Sequence, residues 1–449
     1  MTRLASRTLL QNVSRDEISV DPSELRYQRL KVTIHENLVE SLDLSLLAEV
    51  NQNDLTDQFQ SVAQELCQEF ALELHENDRE RMLSDLMDEV YGLGPLEALM
   101  KDETITDVLV NHPHEVYIER FGRIEPTDTI FADEAHLVRI IQRVVARVGR
   151  RIDEVSPMVD ARLPDGSRVN AVVRPLALDG PTLSIRKFGV EPLKIGDLVE
   201  FNTLTDEMVE FLAAAVDARV TFLISGGTGA GKTTLLNALT TFIPDEERLV
   251  TIEDSAELRL QHRHTVRLET RPPNTEGAGQ ITQRELVRNS LRMRPDRIII
   301  GEVRGAEALD LLQAVNTGHE GSLTTIHAND TRDALARLEM MIAMSGFELP
   351  IPVVRQYIST GIRLVVQLAR LKGGQRRVVR ITEIIESQDG TYHTNDIFGF
   401  EQTGVDEDGI SQGDFYTTGY RPACRKMIES AGIHLPDSLF QEKRVPLGS

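Results

Sequence analysis

The sequence predicts an α/β fold, and three observations carry that prediction. Apolar β runs alternate with helical stretches from Val220 onward; a glycine-rich loop lies between one such strand and the helix after it; and a separate set of short strands with its own helix precedes them. At 449 residues the chain has room for about three domains and a large buried core. Hydrophobic residues make up 41% and charged residues 27%, as in an ordinary folded protein, so collagen-like and low-complexity readings are excluded. With two cysteines, Cys67 and Cys424, neither a disulfide framework nor a cysteine-built zinc site is expected, and a reducing, cytoplasmic setting fits. No run of about 18 apolar residues and no signal-peptide core is present, so any membrane contact is expected to be peripheral. The formal charge of −22 repels phosphate backbones and anionic lipid, which argues against indiscriminate nucleic-acid binding.

Residues 1–26 read as a flexible tail. Arg3, Arg7 and Arg15 stand there with Leu4, Leu9 and Leu10, a pattern that resembles a transit peptide but is better read as a tail or docking helix. Residues 27–91 read as a helical domain. Val32, Leu38, Val39 and Leu42, and then Leu55, Phe59, Val62, Leu66 and Phe70, recur at helical spacing. The first 100 residues hold 20 acids and 8 bases, so this part carries about half of the charge excess, which solvated helix faces explain. Gly92-Leu93-Gly94-Pro95 breaks the last helix near Tyr91 and marks a boundary.

Residues 92–190 read as a small α+β domain. Thr106 to Val110 and Glu115 to Arg120 alternate as strands around the turn Phe121-Gly122-Arg123. Ala135 to Val148 repeats at helical period through Leu137, Ile140, Ile141, Val144 and Val145. Two further strands flank the turn Pro164-Asp165-Gly166, and another runs from Thr182 to Phe188. Residues 191–204 read as a linker into a helix from Asp206 to Ala215, and residues 205–449 form the α/β domain. Its strands are Val220 to Ile224, Leu249 to Glu253, Arg297 to Ile300 and Ser322 to Ile326, so continuously apolar that a mainly parallel sheet covered on both faces is expected. Leu364 to Leu371 and Val378 to Ile385 form a hairpin about Lys372-Gly373-Gly374-Gln375, and past Ser387 the pattern weakens.

Gly226-Gly227-Thr228-Gly229-Ala230-Gly231-Lys232-Thr233, followed by Thr234, fits G-x-x-x-x-G-K-[ST] between a strand and a helix. The glycines let the loop curl so that its N–H groups face a phosphate, with the helix N-terminus adding partial positive charge. Lys232 reaches the β and γ oxygens, and Thr233 offers a hydroxyl to Mg²⁺, which prefers oxygen ligands. Two acids stand at strand ends, Glu253 beside Asp254, and Glu302 at the Walker-B position, where a carboxylate can hold Mg²⁺ through water and orient an attacking water. The other reading of Glu253, the less favoured one, is a helix-capping or salt-bridged acid. His327 closes another strand at the same edge and can sense a γ-phosphate, while His319 before that strand reads as structural.

Four segments, namely 226–234, Thr251-Ile252-Glu253-Asp254, Arg297 to Arg304 and Gly318 to Asn329, resemble the Walker A, Asp, Walker B and His boxes of the type II/IV secretion ATPase superfamily. Gly92 to Leu96, Ile105-Thr106-Asp107 and Met158 to Asn170 further resemble its CpaF/TadA branch, which assembles Tad/Flp pili. The resemblance implies a RecA-like P-loop ATPase domain, a PAS-like α+β domain and an N-terminal helical region, arranged as a homo-hexamer with ATP between the two domains. It implies ATP and Mg²⁺ as ligands, with Lys232 and Thr233 on phosphate and Mg²⁺, Glu253 orienting water, Glu302 on Mg²⁺ or water, and His327 sensing phosphate. Arg168 and Arg186 match the family's closing arginines, with Arg162 in reserve. It also implies inner-membrane pilus platform partners, recruitment to the cytoplasmic face of that membrane, and no nucleic-acid partner. The four-cysteine zinc element of the type II secretion branch and the C-terminal helix motif of the twitching-motility branch are both missing.

Overall fold

The computed structural model describes residues 21–41, 62, 76–120, 122–188, 192–271, 273, 278–387, 391–407 and 409–447. Residues 1–20 of the expected tail 1–26, most of the helical pattern of 42–74, the side chains of Leu38 and Val39, the turn residue Phe121 and the boundary at Gly189 lie outside these residues, and the end of that tail is instead helical from Pro22. The chain divides into two compact units, Met1–Val190 and Glu191–Ser449.

The first unit opens with α1 (Pro22–Ser41) and α2 (Glu76–Tyr91). Tyr27, Ile34, Met82 and Leu86 are buried together between them. Burial of apolar stripes, more than propensity, holds such short helices. Gly94 follows at φ +58°, where an added Cβ would stand 2.8 Å from Ile140 Cδ1 and 3.0 Å from the Glu89 carboxylate, so the break after α2 requires glycine. After α3 (Glu97–Lys101) come β1 (Ile105–His112), β2 (Glu115–Arg120), β3 (Arg123–Pro126), α4 (Glu134–Ala146), β4 (Met158–Arg162), β5 (Arg168–Val172) and β6 (Thr182–Arg186). They form a six-stranded sheet in the order β3-β2-β1-β6-β5-β4, each neighbouring pair antiparallel. Asp133 caps α4 by accepting from the His136 N–H, and the helical period seen in the sequence puts Leu137, Ile140, Ile141, Val144 and Val145 into the core over one sheet face.

In the second unit the stretch read as a linker contains a helix, α5 (Ile195–Glu200), whose Leu198 joins the core. It is followed by α6 (Asp206–Asp217), β7 (Phe222–Gly226), α7 (Lys232–Thr240), β8 (Leu249–Glu253), β9 (Thr265–Glu269), α8 (Gln283–Ser290), β10 (Arg297–Ile300), α9 (Glu307–Val315), β11 (Leu323–Ile326), α10 (Thr331–Ala343), α11 (Ile351–Gly361), β12 (Leu364–Arg370), β13 (Arg376–Glu386), β14 (Tyr392–Val405), β15 (Ser411–Thr417), α12 (Arg425–Ser430) and β16 (Lys443–Pro446). The ten-stranded sheet runs β16-β15-β14-β13-β12-β7-β11-β10-β8-β9. From β12 to β9 every pairing is parallel, and from β12 to β16 every pairing is antiparallel. The parallel part is a RecA-like core: β7, β8, β10 and β11 are buried at every residue, which is why they read as apolar runs. The expectation of a mainly parallel sheet thus covers only this part, and the weak region past Ser387 supplies β14 to β16. In β15 buried residues alternate with half-buried ones, so no continuous apolar run marks it.

Candidate nucleotide site

The phosphate loop spans the gap between β7, which ends on Gly226, and α7, which begins on Lys232. Gly229 (φ +69°) and Gly231 (φ +95°) take the left-handed backbone that the curl needs. Ala230 is buried, and Thr233 and Thr234 occupy the first turn of α7 with half-buried side chains. Gly227 and Thr228 form the outer bend. Lys232 is buried and donates to the carbonyls of Gly226 (3.0 Å) and Gly227 (3.1 Å). Burial lowers its pKa, against the opposing pull of Glu302, so an anion at the loop would gain a poorly hydrated cation as partner.

β11, β10 and β8 follow β7 in that order across the parallel part of the sheet and end at the same edge. This brings Glu302 and His327 to Lys232, with Glu253 at the end of β8, the strand next to β10. Lys232 Nζ stands 3.4 Å from His327 Nε2, and that nitrogen is 3.1 Å from Glu302 Oε1. Glu302 Oε2 accepts from Arg304 at 2.7 Å, and Arg304 reaches Asp254 Oδ2 at 3.6 Å. Burial first, and Lys232 second, lower the His327 pKa, which keeps the ring neutral and able to donate through one nitrogen. Glu253 caps no helix: its Oε2 accepts from the N–H groups of Glu257 (2.7 Å) and Leu258 (2.8 Å) in the irregular segment after β8, while Oε1 is buried without a hydrogen-bond partner. Burial raises the pKa of this carboxyl.

An orphaned buried oxygen costs stability unless something polar reaches it. Together with the left-handed glycines and the desolvated lysine, it makes this edge fit a magnesium nucleoside triphosphate: the loop for phosphates, Thr233 and Glu302 as oxygen donors to the metal, Glu253 Oε1 for a water.

His319, in the turn before β11, is apart from this chemistry, its Nδ1 3.3 Å from the Ala314 carbonyl at the end of α9. Arg168 and Arg186 belong to the first unit. Their strand register sets Arg162 opposite Arg168 and Arg168 opposite Arg186, three arginines in one row on one sheet face, with Arg186 Nε on Asp107 at 3.0 Å. Arg304 and Asp254 lie inside two of the boxes, yet sequence reasoning gave neither a role; the i, i+2 spacing of Glu302 and Arg304 past a strand end was the available signal. Arg376, which donates to the Gly229 carbonyl at 2.9 Å, was missed altogether.

Residues 89–406 are matched by the family model described as Type II/IV secretion system protein. A Mycobacterium tuberculosis (strain CDC 1551 / Oshkosh) protein with a provisional conjugal-transfer name is 38% identical over 309 residues, 68% of this chain and 87% of the relative. The type IV secretion system protein VirB11 of Bartonella quintana (strain Toulouse) is 31% identical over 332 residues, 65% of this chain and 91% of the relative. Among solved structures, the VirB11 ATPase from the Brucella suis type IV secretion system in complex with sulphate is similar at 30% identity over 66% of this chain and 97% of that chain, with a TM-score of 0.36.

Proposed function

Because the chain belongs to the type II/IV secretion system protein family, we propose that it is an ATP-hydrolysing ring motor, most specifically of the Tad/Flp pilus-assembly branch. The observation that carries the enzymatic part is the continuous polar path from Lys232 through His327 to Glu302, beside the unpartnered oxygen of Glu253. In this reading the loop N–H groups of 229–234 bind the phosphates, and Lys232 exchanges its two carbonyl acceptors for phosphate oxygens. The Thr233 hydroxyl and the Glu302 carboxylate would hold Mg²⁺, which would neutralise charge on the phosphate oxygens when bound. Glu253 Oε1 orients the attacking water, and His327, whose Nε2 stands 3.1 Å from Glu302 Oε1, senses the γ-phosphate as the donor of its single N–H. Arg168 and Arg186 meet charge that develops during transfer.

The pilus assignment rests on Gly92 to Leu96, Ile105 to Asp107 and Met158 to Asn170, and with it go a homo-hexamer, inner-membrane platform partners at the cytoplasmic face, and no nucleic-acid partner. The charge of −22 favours a protein partner over a polyanion. A second reading, a motor of a conjugal or other type IV secretion system, is favoured by the names of the Mycobacterium and Bartonella relatives. Two measurements separate them. ATP hydrolysis by the purified full chain should be unchanged by single-stranded DNA, and a cross-linked pull-down should recover a pilus platform protein; DNA stimulation, or recovery of conjugation components alone, would favour the second reading.

A further inference from the structure

β12 and β13 turn through residues 371–375, and their register sets Arg370 directly opposite Arg376. Both arginines are held beside the phosphate loop. Arg376 Nε donates to the Gly229 carbonyl at 2.9 Å. A Cβ built on Gly229 would stand 3.4 Å from Arg370 Nη1, and one on Gly231 would stand 3.4 Å from Arg376 Cδ. At the root of the loop, a Cβ on Gly226 would come within 2.7 Å of the Leu368 carbonyl oxygen. The hairpin therefore backs the loop from its first glycine to its last.

The turn is itself anchored by the antiparallel end of the sheet. Ser411 donates to the Lys372 carbonyl through both its N–H (3.1 Å) and its Oγ (3.0 Å). Gly373, at φ +89°, lies so close that an added Cβ would stand 2.9 Å from Ile410 Cα. A guanidinium beside the loop adds a fixed positive charge that a phosphate chain can meet.

We propose that the β12–β13 hairpin is a second cationic wall of the nucleotide site, in which Arg376 positions the phosphate loop through Gly229 and Arg370 gives its guanidinium to the phosphate chain of a bound nucleoside triphosphate. The inference rests on the reading of the loop as an ATP site. Arg376 is a positioning residue because it acts through the loop carbonyl. Arg370 acts by charge, so lysine can replace it in part; Arg376 acts by a fixed Nε direction, so lysine cannot.

The test is equilibrium binding of a fluorescent ATP analogue to the full chain, together with steady-state hydrolysis, for Lys232→Ala, Arg370→Ala, Arg370→Lys, Arg376→Ala and Arg376→Lys. Arg370→Ala is expected to weaken binding about tenfold, with most of the loss restored in Arg370→Lys. Arg376→Ala and Arg376→Lys are each expected to raise KM about fivefold while kcat changes less than twofold. Arg370 is exposed, so its variants keep the fold and carry the test even where Arg376 variants prove unstable. Should Lys232→Ala lose binding while both alanine variants at 370 and 376 bind within twofold of wild type, the hairpin assignment is overturned and the ATP site stands. Lysine failing at 370, or restoring function at 376, overturns the roles given to each. Unimpaired binding in Lys232→Ala overturns the ATP site itself, and the hairpin assignment with it.

Discussion

Lys232 and Arg168 are both cations proposed to act on a nucleotide, one in each unit, and the two units hold them in different ways. Lys232 is buried, ties down two loop carbonyls and stands 3.4 Å from His327. Arg168 lies exposed on a sheet, with Arg162 opposite it on one side and Arg186 opposite it on the other. A buried charge is tolerated only where fixed partners or a ligand complete it, whereas an exposed like-charged row costs fractions of a kcal/mol per pair. The buried set is thus suited to holding a ligand in the ground state. The exposed row is suited to charge that appears only during reaction, where long, solvated side chains lose least by waiting.

The comparison breaks most visibly at Lys232. Lys232→Ala removes the one buried cation of the loop, and hydrolysis should fall about 10³-fold with nucleotide affinity lost as well. Turnover within tenfold of wild type, measured by phosphate release, would contradict the assignment of this edge as the active site.

Glu302→Gln and Glu253→Gln should bind ATP nearly as wild type and hydrolyse it roughly 10²- to 10³-fold more slowly, since binding uses the loop and turnover uses the acids. Glu253 adds a stability readout. Burial raises its pKa above the ordinary 4.5, so the native state holds the proton more readily than the unfolded chain does. Ionisation as pH rises through the native pKa therefore costs stability. At pH values above that pKa, Glu253→Gln should keep or raise Tm while losing activity, and a large drop in Tm would mean that its bonds to Glu257 and Leu258 dominate.

Arg168→Ala and Arg186→Ala should lower kcat about 10²-fold with little change in KM, the signature of contacts made only in the transition state. Equal losses in affinity and turnover would instead make the row a ground-state binder like Lys232, erasing the distinction between the units.

Legibility followed the range over which each pattern operates. The phosphate loop, the acids at the ends of β8 and β10, and the buried face of α4 are local patterns, repeating within a few residues and set by burial on both sides or on one stripe. The pairing of Arg162 with Arg168 was within reach too, since the two flank the turn Pro164-Asp165-Gly166 at equal distance. β14 was not: of its residues Tyr392 to Val405, only four consecutive ones are fully buried, and the rest are half-buried or exposed, so hydrophobicity marks no strand boundary. Arg376 was out of reach for a different reason. Its contact with Gly229 bridges 147 residues and depends on strand register across the hairpin, which no short window contains. The hairpin is legible from its glycines, but counting outward from a turn of 372–375 opposes Leu371 to Arg376; the turn takes in Leu371 as well, and it is this one-residue difference that sets Arg370 opposite Arg376.

The smallest expected effect concerns His327, which links the two oppositely charged groups of the buried set. Its ring sits 3.4 Å from Lys232 and 3.1 Å from Glu302. Burial and the lysine lower its pKa below the ordinary 6.5, outweighing the pull of Glu302 in the other direction. The native state accordingly resists protonation more than the unfolded chain, and its stability should decline as pH falls through 6.5. Activity has the same direction. A protonated ring would add charge beside Lys232 and hold Glu302 in an ion pair, withdrawing that acid from phosphate transfer. For wild type, kcat/KM followed from about pH 5 to about pH 8.5 should be level above 6.5 and fall only below it. His327→Gln keeps a hydrogen-bonding group without the titration, so its profile should lose that acid limb and sit about tenfold lower on the plateau. An acid limb retained unchanged in the variant would assign it to another group and leave His327 as a neutral spacer between the lysine and the acid.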